Sequence, residues 1–214
     1  DDHERLQERR PAASRRLRLA EYSAAWSADA VITHSPAEAA LLAQAVPPAR
    51  VHVVPWAVPA RPVATPFAAR DGVAFIGGYG HAPNVDAARY LVETVMPLVW
   101  RADPATPCIL AGSAMPEVVR RLAGPRVRIA GQVPELAALF AQIRLTVAPL
   151  RYGAGVNGKV LDSLAAGIPC VLSEIAAEGL ALPGAMIGRD AAALAAHILR
   201  AHREEATQAI AAGL

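Results

Sequence analysis

Between residues 72 and 173, short apolar segments alternate with amphipathic ones, and this alternation constrains the fold more than any other feature of the chain. The apolar segments are GVAFIGG, TPCILAG, RVRIAG, RLTVAPL and IPCVLS. Segments with helical spacing separate them, namely NVDAARYLVETVMPLVW, MPEVVRRLA, PELAALFAQ and VNGKVLDSLAAG. Short apolar strands separated by helices are the pattern of βαβ units, whose parallel sheet is covered on both faces. The sequence therefore predicts an α/β fold with a Rossmann-like, doubly wound parallel sheet.

The first part of the chain contains similar elements, but a proline-rich segment separates it from the alternating region. Residues 14–27 are predicted to form a helix, followed by a strand in ADAVITHS, a helix in PAEAALLAQ and a strand in VHVVP. Ser35 is the expected N-cap of the second helix, with Pro36 at its first position. Prolines at positions 55, 59, 62 and 66 follow without periodic apolar spacing. This is typical of a stiff connection between domains. At the other end, the tail from Asp190 is predicted to be a long helix.

Composition limits the size of the core and the kind of partner. With 214 residues and 54% hydrophobic side chains, the chain can bury one sizeable core or one and a half small ones. Its 21 basic and 19 acidic residues give a net charge of +2, which does not favour a nucleic-acid partner. Cys108 and Cys170 both lie in apolar runs, where a buried thiol is expected. A reducing cytoplasm fits this pattern.

The amino-terminal segment bears on membrane association. No apolar stretch is long enough to span a bilayer, and DDHERLQERR has the opposite character to a signal peptide. Arginines are concentrated near the start and are offset by acidic residues, which favours a solvated helical face. Peripheral docking to an anionic surface such as the inner membrane is the alternative. These arginines are Arg5, Arg9, Arg10, Arg15, Arg16 and Arg18.

Ligands of doubly wound sheets bind at the carboxyl ends of the strands. The loops expected there are GGYGHAPN, AGSAMP, AGQVPE, PLRYGAGVNGK and SEIAAEG. Three of the five are rich in glycine or other small residues, which lets backbone N–H groups approach a ligand closely. These loops are therefore the candidate binding elements.

One of these loops nearly matches the phosphate loop of nucleotide triphosphatases. Residues 153–160, GAGVNGKV, contain the pattern G-x-x-x-x-G-K, but Val160 stands where Ser or Thr would bind magnesium. The segment also follows the fourth predicted strand rather than an early one, so a triphosphatase is not favoured. A glycine-rich turn that leads into a helix, with Lys159 in the first turn, still suits a diphosphate. A tight turn with a solvated lysine is the structural alternative.

The ordered set of segments FIGGYGHAPNVDAARYLVETVMPLV, LAGS, VRIAGQVPELAALFA and LTVAPLRYGAGVNGKVLDSLAAGIPCVLSEIAAEGL resembles a known family. It is similar to the nucleotide-sugar-binding half of GT-B glycosyltransferases, specifically those similar to glycosyltransferase family four. The match spans about residues 72–180. It implies that the doubly wound sheet is the C-terminal half of a GT-B fold, accompanied by a partial N-terminal domain remnant.

The resemblance also implies a domain organisation. ADAVITHSPAEAALL and VHVVPWAVP look like the end of the acceptor-side domain, so residues 1–58 would be the remnant of that Rossmann-like domain. A linker at 59–70, a donor-binding domain at 71–189 and a C-terminal helix at 190–214 would follow. A complete GT-B enzyme needs two such domains enclosing a cleft, so the chain is expected to be a fragment of a longer enzyme.

The activity implied by the resemblance is transfer of a sugar from a nucleotide-diphosphate sugar, such as a UDP- or GDP-sugar, to an acceptor hydroxyl with retention of configuration. The enzyme would be hexosyltransferase-like and act in cell-envelope polysaccharide biosynthesis, with a sugar, lipid-linked glycan or protein as acceptor. In that chemistry the protein mainly stabilises the departing diphosphate, and no divalent ion or other cofactor is required.

The same resemblance assigns site residues. Relatives carry two glutamates eight residues apart, and these positions hold Ala154 and Asp162 here. Asp162 would bind ribose hydroxyls, Lys159 would neutralise the leaving diphosphate and His81 would donate to a phosphate or sugar hydroxyl. Asn84 is expected to be the N-cap of the helix after the first strand. The nucleotide base would lie near Gln132 and Val133. The other expected donor contacts are Gly78, Tyr79, Gly80, Gly112, Gln132, Val133, Tyr152, Gly153, Ala154, Gly155, Val156, Asn157 and Gly158.

Two other classes of protein stay open. The chain could be a non-catalytic nucleotide-sugar-binding module, or a dinucleotide-dependent oxidoreductase whose fingerprint starts at Gly78. The second alternative lacks a glycine of G-x-G-x-x-G, because Pro83 occupies that position. The sequence shows no His or Cys pair with metal-ligand spacing and no G-x-S-x-G nucleophile motif.

Overall fold

A computed structural model describes residues 11–153, 158–180 and 186–208 of the chain. The backbone divides into two compact units. In described residues, the first unit consists of 11–57, 152–153 and 178–180, and the second of 58–151, 158–177 and 186–208.

The first unit contains a small parallel sheet and two helices. Its elements are α1 (Pro11–Ser27), β1 (Val31–Thr33), α2 (Pro36–Leu42) and β2 (Val51–Val53). The two strands pair in parallel, with Val31 opposite Val51. Ser35 is the N-cap of α2 and its side chain accepts from the backbone N–H of Glu38, with Pro36 in the first turn. The predicted start of this helix is therefore confirmed.

The second unit is built on six parallel strands. In chain order these are β3 (Val73–Ile76), β4 (Cys108–Ala111), β5 (Val127–Gly131), β6 (Leu145–Ala148), β7 (Cys170–Ser173) and β8 (Ile187–Gly188). Their order across the sheet is β5-β4-β3-β6-β7-β8. The chain moves outward from β3 to β5 and then returns to the other side of β3. This is the doubly wound order.

The sequence predicted five of these strands and missed β8. The prediction that IPCVLS is the last strand is wrong, because Ile187–Gly188 pairs with β7 beyond it. The strand is only two residues long and no apolar run surrounds it. A short edge strand of this kind has no periodic signal that sequence patterns could reveal.

Helices cover both faces of the sheet. They are α3 (Ala82–Tyr90), α4 (Met96–Ala102), α5 (Glu117–Arg120), α6 (Leu136–Phe140), α7 (Gly158–Ala165), α8 (Glu174–Ala177) and α9 (Ala191–Arg203). A π-helical turn, Leu91–Val95, joins α3 to α4. Pro97 explains this turn, because proline lacks an N–H and its ring clashes with the carbonyl four residues earlier.

The start of α3 differs from the prediction. The helix begins at Ala82 with His81 at the N-cap position, so the expectation that Asn84 is the N-cap is wrong. Asn84 lies inside the first turn, and its side-chain Nδ2 donates to the carbonyl of Gly78 at 2.9 Å. Pro83 accounts for the earlier start, since its fixed φ suits the first turn of a helix and its missing N–H costs nothing there.

The core of the second unit lies on both faces of its central strands. Strands β3, β4 and β6 are buried along their whole length. One face packs against α3, α4 and α9 through residues such as Ala88, Met96 and Ile198, and the other packs against α6 through Leu139 and Phe140. Cys108 and Cys170 are free and buried, as predicted. The Rossmann-like doubly wound fold is therefore confirmed.

The predicted linker and the predicted C-terminal helix lie at the two ends of the second unit. In the predicted linker, the backbone N–H groups of Arg61 and Val63 donate to Ala165 and Ala166 at the end of α7, at 2.7 and 3.0 Å. Free carbonyls at a helix end need such partners. The predicted C-terminal helix is α9, capped by Asp190, and it ends at Arg203.

Candidate functional site

The candidate site lies where the strand order reverses, between β3 and β6. These strands are neighbours in the sheet, but they lead to connections on opposite sides of it. Such a reversal leaves a crevice outside the carboxyl ends of the two strands, where ligands of doubly wound proteins bind. The loop after β3 and the segment after β6 are the two walls of this crevice.

The loop after β3 packs directly on the loop after β4. Gly77 donates its N–H to Ala111 at 3.0 Å, and Tyr79 donates to Ser113 at 2.9 Å. Gly112 has a φ of +142°, and a Cβ built on it would lie 1.7 Å from the carbonyl oxygen of Gly77. Its own N–H donates to Gly131 at 2.6 Å. Gly112 therefore permits the close approach of two backbones, and its role in binding stays a prediction.

Two backbone donors of this loop have no acceptor in the part of the chain that the structure describes. They are the N–H groups of Gly78 and Gly80. The carbonyl of Gly78 is held from the other side by the N–H of His81, at 3.2 Å, and by the Asn84 side chain. The amino end of α3 follows directly, and its positive dipole end favours anions. The N–H groups of Gly77 and Gly112, in contrast, are already engaged with Ala111 and Gly131.

The side chain of Tyr79 lies in the core and not in the crevice. It is 3% exposed and meets the ring of Phe75 edge-on, with centroids 6.1 Å apart. Burial raises the pKa of the Tyr79 phenol, and the neighbouring Cys108 raises it further. A donor could therefore meet Tyr79 only through its backbone. His81, in contrast, is exposed at the N-cap position of α3.

The other wall carries the predicted lysine and aspartate. Both lie in α7, and Nζ of Lys159 is 3.0 Å from Oδ2 of Asp162. The Lys159 side chain is 50% exposed, so the ammonium group reaches solvent from the first turn of the helix. A small cavity of about 10 Å³ is lined by Lys159 together with Ile76, the last residue of β3. Lys159 and the end of β3 therefore border the same small cavity, and the role of Lys159 in binding stays a prediction.

Helix α7 is fixed to the sheet by a buried hydroxyl pair. The side-chain oxygens of Ser163 and Thr146 are 2.6 Å apart, and Ser163 Oγ also donates to the carbonyl of Ile168 at 2.9 Å. Val160 is 1% exposed and packs in the core. The position where a triphosphatase has its metal-binding hydroxyl therefore faces the interior here, and this explains why a valine suits it.

The remaining predicted residues are only partly placed. Ala154, Gly155, Val156 and Asn157 lie outside the described residues. Tyr152 and Gly153 are half-buried and belong to the first unit, and Gly158 begins α7 in the second. Gln132 is exposed, and Val133 packs against the core near α6. They follow β5, two strands away from β3, so they lie at the outer end of the carboxyl edge.

Sequence patterns did not reveal one pair of residues that spans the crevice. Arg151 follows β6 and forms a two-point ion pair with Asp86 of α3, with Nε 2.9 Å from Oδ2. Its guanidinium also lies 4.9 Å from the ring centroid of Tyr90. The partners are 65 positions apart in sequence. The only available signal was the charge of Arg151 directly after a buried strand.

The described residues bear on two other kinds of site. They contain no group of three or more His, Cys, Asp or Glu side chains placed to hold a metal ion. A cleft of about 510 Å³ is lined by Asp71, Arg126 and Arg128 at the opposite, amino-terminal edge of the sheet. The N–H groups of Gly78 and Gly80, the amino end of α3 and Lys159 lie instead in the segments that follow β3 and β6, beyond the carboxyl edge.

None of the helices that the structure describes combines the length and the apolar character needed to cross a bilayer.

The sheet order defines a doubly wound α/β protein, and a family comparison places it more closely. The family model for the group 1 glycosyl transferases matches residues 70–204, more than half of the chain. The protein therefore belongs to the group 1 glycosyltransferase family. No curated protein sequence matches the chain significantly.

Solved structures of glycosyltransferases share the fold. S. aureus TarM, solved in complex with UDP, superimposes with a TM-score of 0.73 at 14% identity, over 87% of this chain and 40% of its own. Anabaena HepE, solved with UDP and glucose, gives 0.69 at 17% identity, over 92% and 62%. A UDP-forming α,α-trehalose-phosphate synthase from Burkholderia xenovorans gives 0.62 at 14%, over 90% and 58%. The chain thus spans roughly half the length of these proteins.

Proposed function

We propose that the protein is a retaining GT-B glycosyltransferase, similar to family four, and that this chain carries chiefly its donor-binding half. The donor would be a nucleotide-diphosphate sugar such as a UDP- or GDP-sugar, and the acceptor would supply a hydroxyl group. The observation that carries the proposal is that three anion-favouring features lie in the segments that follow the neighbouring strands β3 and β6. These are the N–H groups of Gly78 and Gly80, which have no acceptor among the described residues, the amino end of α3 and the ammonium of Lys159.

The chemistry follows from the charge that develops on the leaving group. As the bond from C1 of the sugar to the diphosphate oxygen breaks, a bond to the acceptor oxygen forms and the acceptor hydroxyl releases its proton to water. Negative charge then increases on the diphosphate. A fixed cation and preorganised N–H donors stabilise such charge by several kcal/mol. In the proposed arrangement Lys159 and the β3 loop supply this stabilisation, and His81 donates to a phosphate or sugar hydroxyl.

The nucleoside would lie along the same edge of the sheet. Asp162 can accept hydrogen bonds from ribose hydroxyls, since its side chain is 32% exposed beside Lys159. The backbone around Gln132 and Val133 would meet the base. Gly112 would support this surface from below through its contact with Gly77. Anabaena HepE has been solved with UDP and with UDP-glucose, which supports a donor of this class.

The domain organisation that we propose follows the family resemblance. Residues 1–58 would be the end of the acceptor-side domain, 59–70 the linker, 71–189 the donor domain and 190–214 a C-terminal helix. The complete enzyme would be hexosyltransferase-like, cytoplasmic and peripheral to the inner membrane, and would act in cell-envelope polysaccharide synthesis. This chain alone would bind the donor and be inactive in transfer.

Isothermal titration of the chain with UDP, GDP and NAD tests the proposal. We expect UDP or GDP to bind and NAD not to bind. Tight binding of NAD alone would instead indicate the oxidoreductase. Binding of a diphosphate by a complete protein that transfers no sugar would indicate a non-catalytic nucleotide-sugar-binding module.

A further inference from the structure

The two central strands of the second unit separate before they reach the crevice. Strand β3 pairs with β4 over four residue pairs, up to Ile76 opposite Ala111. Its pairing with β6 on the other side ends after two residue pairs, at Ala74 opposite Thr146. Backbone hydrogen bonds therefore do not fix the distance between the carboxyl ends of β3 and β6. Some other contact has to fix the width of the crevice.

The ion pair of Arg151 and Asp86 joins the two walls at this point. Arg151 lies three residues beyond the end of β6, and Asp86 lies in the second turn of α3, the helix that follows β3. Two-point contacts between a guanidinium and a carboxylate fix orientation as well as distance. The guanidinium also packs over the Tyr90 ring, which restricts its position further.

The backbone at Arg151 is itself held to the rest of the sheet. Ser173, the last residue of β7, donates its hydroxyl to the carbonyl of Leu150 at 2.6 Å. Ser173 Oγ also accepts from the N–H of Ala176 in α8 at 3.2 Å. Arg151 therefore extends from a fixed backbone towards α3. The amino end of α3, with Gly78, Gly80 and His81 just before it, is positioned by this contact.

We propose that Arg151 is a positioning residue for donor binding. Through Asp86 and Tyr90 it fixes the separation between the β3 loop and the carboxyl end of β6, so that the crevice accepts the diphosphate of a nucleotide sugar. This inference rests on the proposed function, because it assumes that the crevice binds a diphosphate. The opposite view, in which Arg151 leaves Asp86 and binds the diphosphate directly, predicts a different pattern of mutant affinities.

A double-mutant cycle separates the two views. Arg151→Met, Asp86→Asn and the double variant are titrated with UDP and GDP by calorimetry, next to the unmodified chain. If Arg151 acts through Asp86, each single variant should weaken binding by about five- to tenfold, and the double variant should be no weaker than the weaker single variant. If Arg151 binds the diphosphate itself, Asp86→Asn should leave affinity unchanged or increase it, which would overturn the inference.

A matched control uses an ion pair outside the crevice. Arg121 and Glu117 of α5 form an exposed contact of 3.1 Å, and Arg121→Met should leave UDP affinity within about twofold. The charge-swapped chain, Arg151→Asp with Asp86→Arg, provides a readout that general destabilisation would not produce. Recovery of at least half of the lost affinity supports positioning, and no recovery contradicts it.

Failure of the proposed function has a different signature. An unmodified chain that binds neither UDP nor GDP would overturn both proposals. If the unmodified chain binds UDP or GDP and the Arg151→Met variant binds with the same affinity, only the positioning role would be overturned.

Discussion

The two walls of the crevice achieve their shape by different means. The β3 wall is built from backbone, with Gly77 and Gly112 in direct contact and no lysine or arginine in the loop from Gly77 to His81. The β6 wall is built from charged side chains, with Arg151 and Lys159 each held by a carboxylate. A backbone wall is rigid but carries only partial charges, whereas the charged wall supplies full charges but depends on distant partners. A diphosphate site needs both properties.

The largest effect is expected at the backbone wall. Gly112→Ala should destabilise the protein by about 3 kcal/mol or more, because the new Cβ would overlap the Gly77 carbonyl at a φ that alanine rarely adopts. Urea unfolding followed by circular dichroism measures this change. Gly124→Ala is the control, since no atom lies within 4 Å of its Cβ position, and it should change stability by less than about 0.5 kcal/mol. Equal effects of the two substitutions would mean that the loops do not need their close contact.

A smaller loss is expected where the charged wall meets the sheet. Ser163→Ala leaves the buried Thr146 hydroxyl and the Ile168 carbonyl without this partner and should cost about 1 to 3 kcal/mol. The free energy of unfolding from urea titration gives the value. The Ser163→Ala, Thr146→Val double variant should lose less free energy of unfolding than the sum of the two single variants, because the orphaned Thr146 hydroxyl is then removed as well. Full additivity of the two changes would contradict the coupling.

Lys159 should affect binding rather than stability. Lys159→Ala should weaken UDP or GDP affinity by about tenfold or more, while the free energy of unfolding changes by less than about 0.5 kcal/mol, because the ion pair is half-exposed. Calorimetry and urea titration together make the distinction.

Asp162→Asn sharpens this test of the charged wall. It should weaken affinity if Asp162 binds the ribose, and strengthen it if Asp162 only neutralises Lys159. Unchanged affinity in Lys159→Ala would remove the lysine from the site.

The smallest effect on stability at neutral pH is expected from the two buried cysteines, which lie at the opposite, amino-terminal edge of the sheet. Cys108 begins β4, Cys170 begins β7, and burial raises the pKa of both thiols to about 12. Unfolded thiols ionise near pH 9, so their contribution to stability is complete below pH 9 and is lost as the pH rises towards 12.

Labelling measures this protection directly. At pH 8, each single-cysteine chain, Cys108→Ala or Cys170→Ala, should react with a disulfide reagent only after unfolding. Rapid labelling of one thiol in the folded protein would show that its half of the sheet opens more readily than the other half.

Local and periodic features were predictable from the sequence, and long-range ones were not. Five parallel strands, the Ser35 cap and the buried cysteines each have a signal within a few neighbouring residues. The two-residue strand β8 has no such signal, and Asn84 was misplaced because Pro83 moves the helix start forward. The bridge from Arg151 to Asp86 joins residues 65 positions apart, and a single sequence carries no information on such a pair. The crevice could therefore be located from the sequence, but what determines its width could not.

The burial of Val160 has a consequence for motif searches. Val160→Ser would complete the letters of the triphosphatase phosphate loop, G-x-x-x-x-G-K-S, with a single substitution. Because the side chain at this position is 1% exposed in the core, the new hydroxyl would be enclosed by apolar groups, away from any phosphate. Such a variant would match the pattern perfectly and gain no metal chemistry. One substitution can thus complete the letters of a phosphate-loop pattern without supplying the accessible hydroxyl that the pattern stands for.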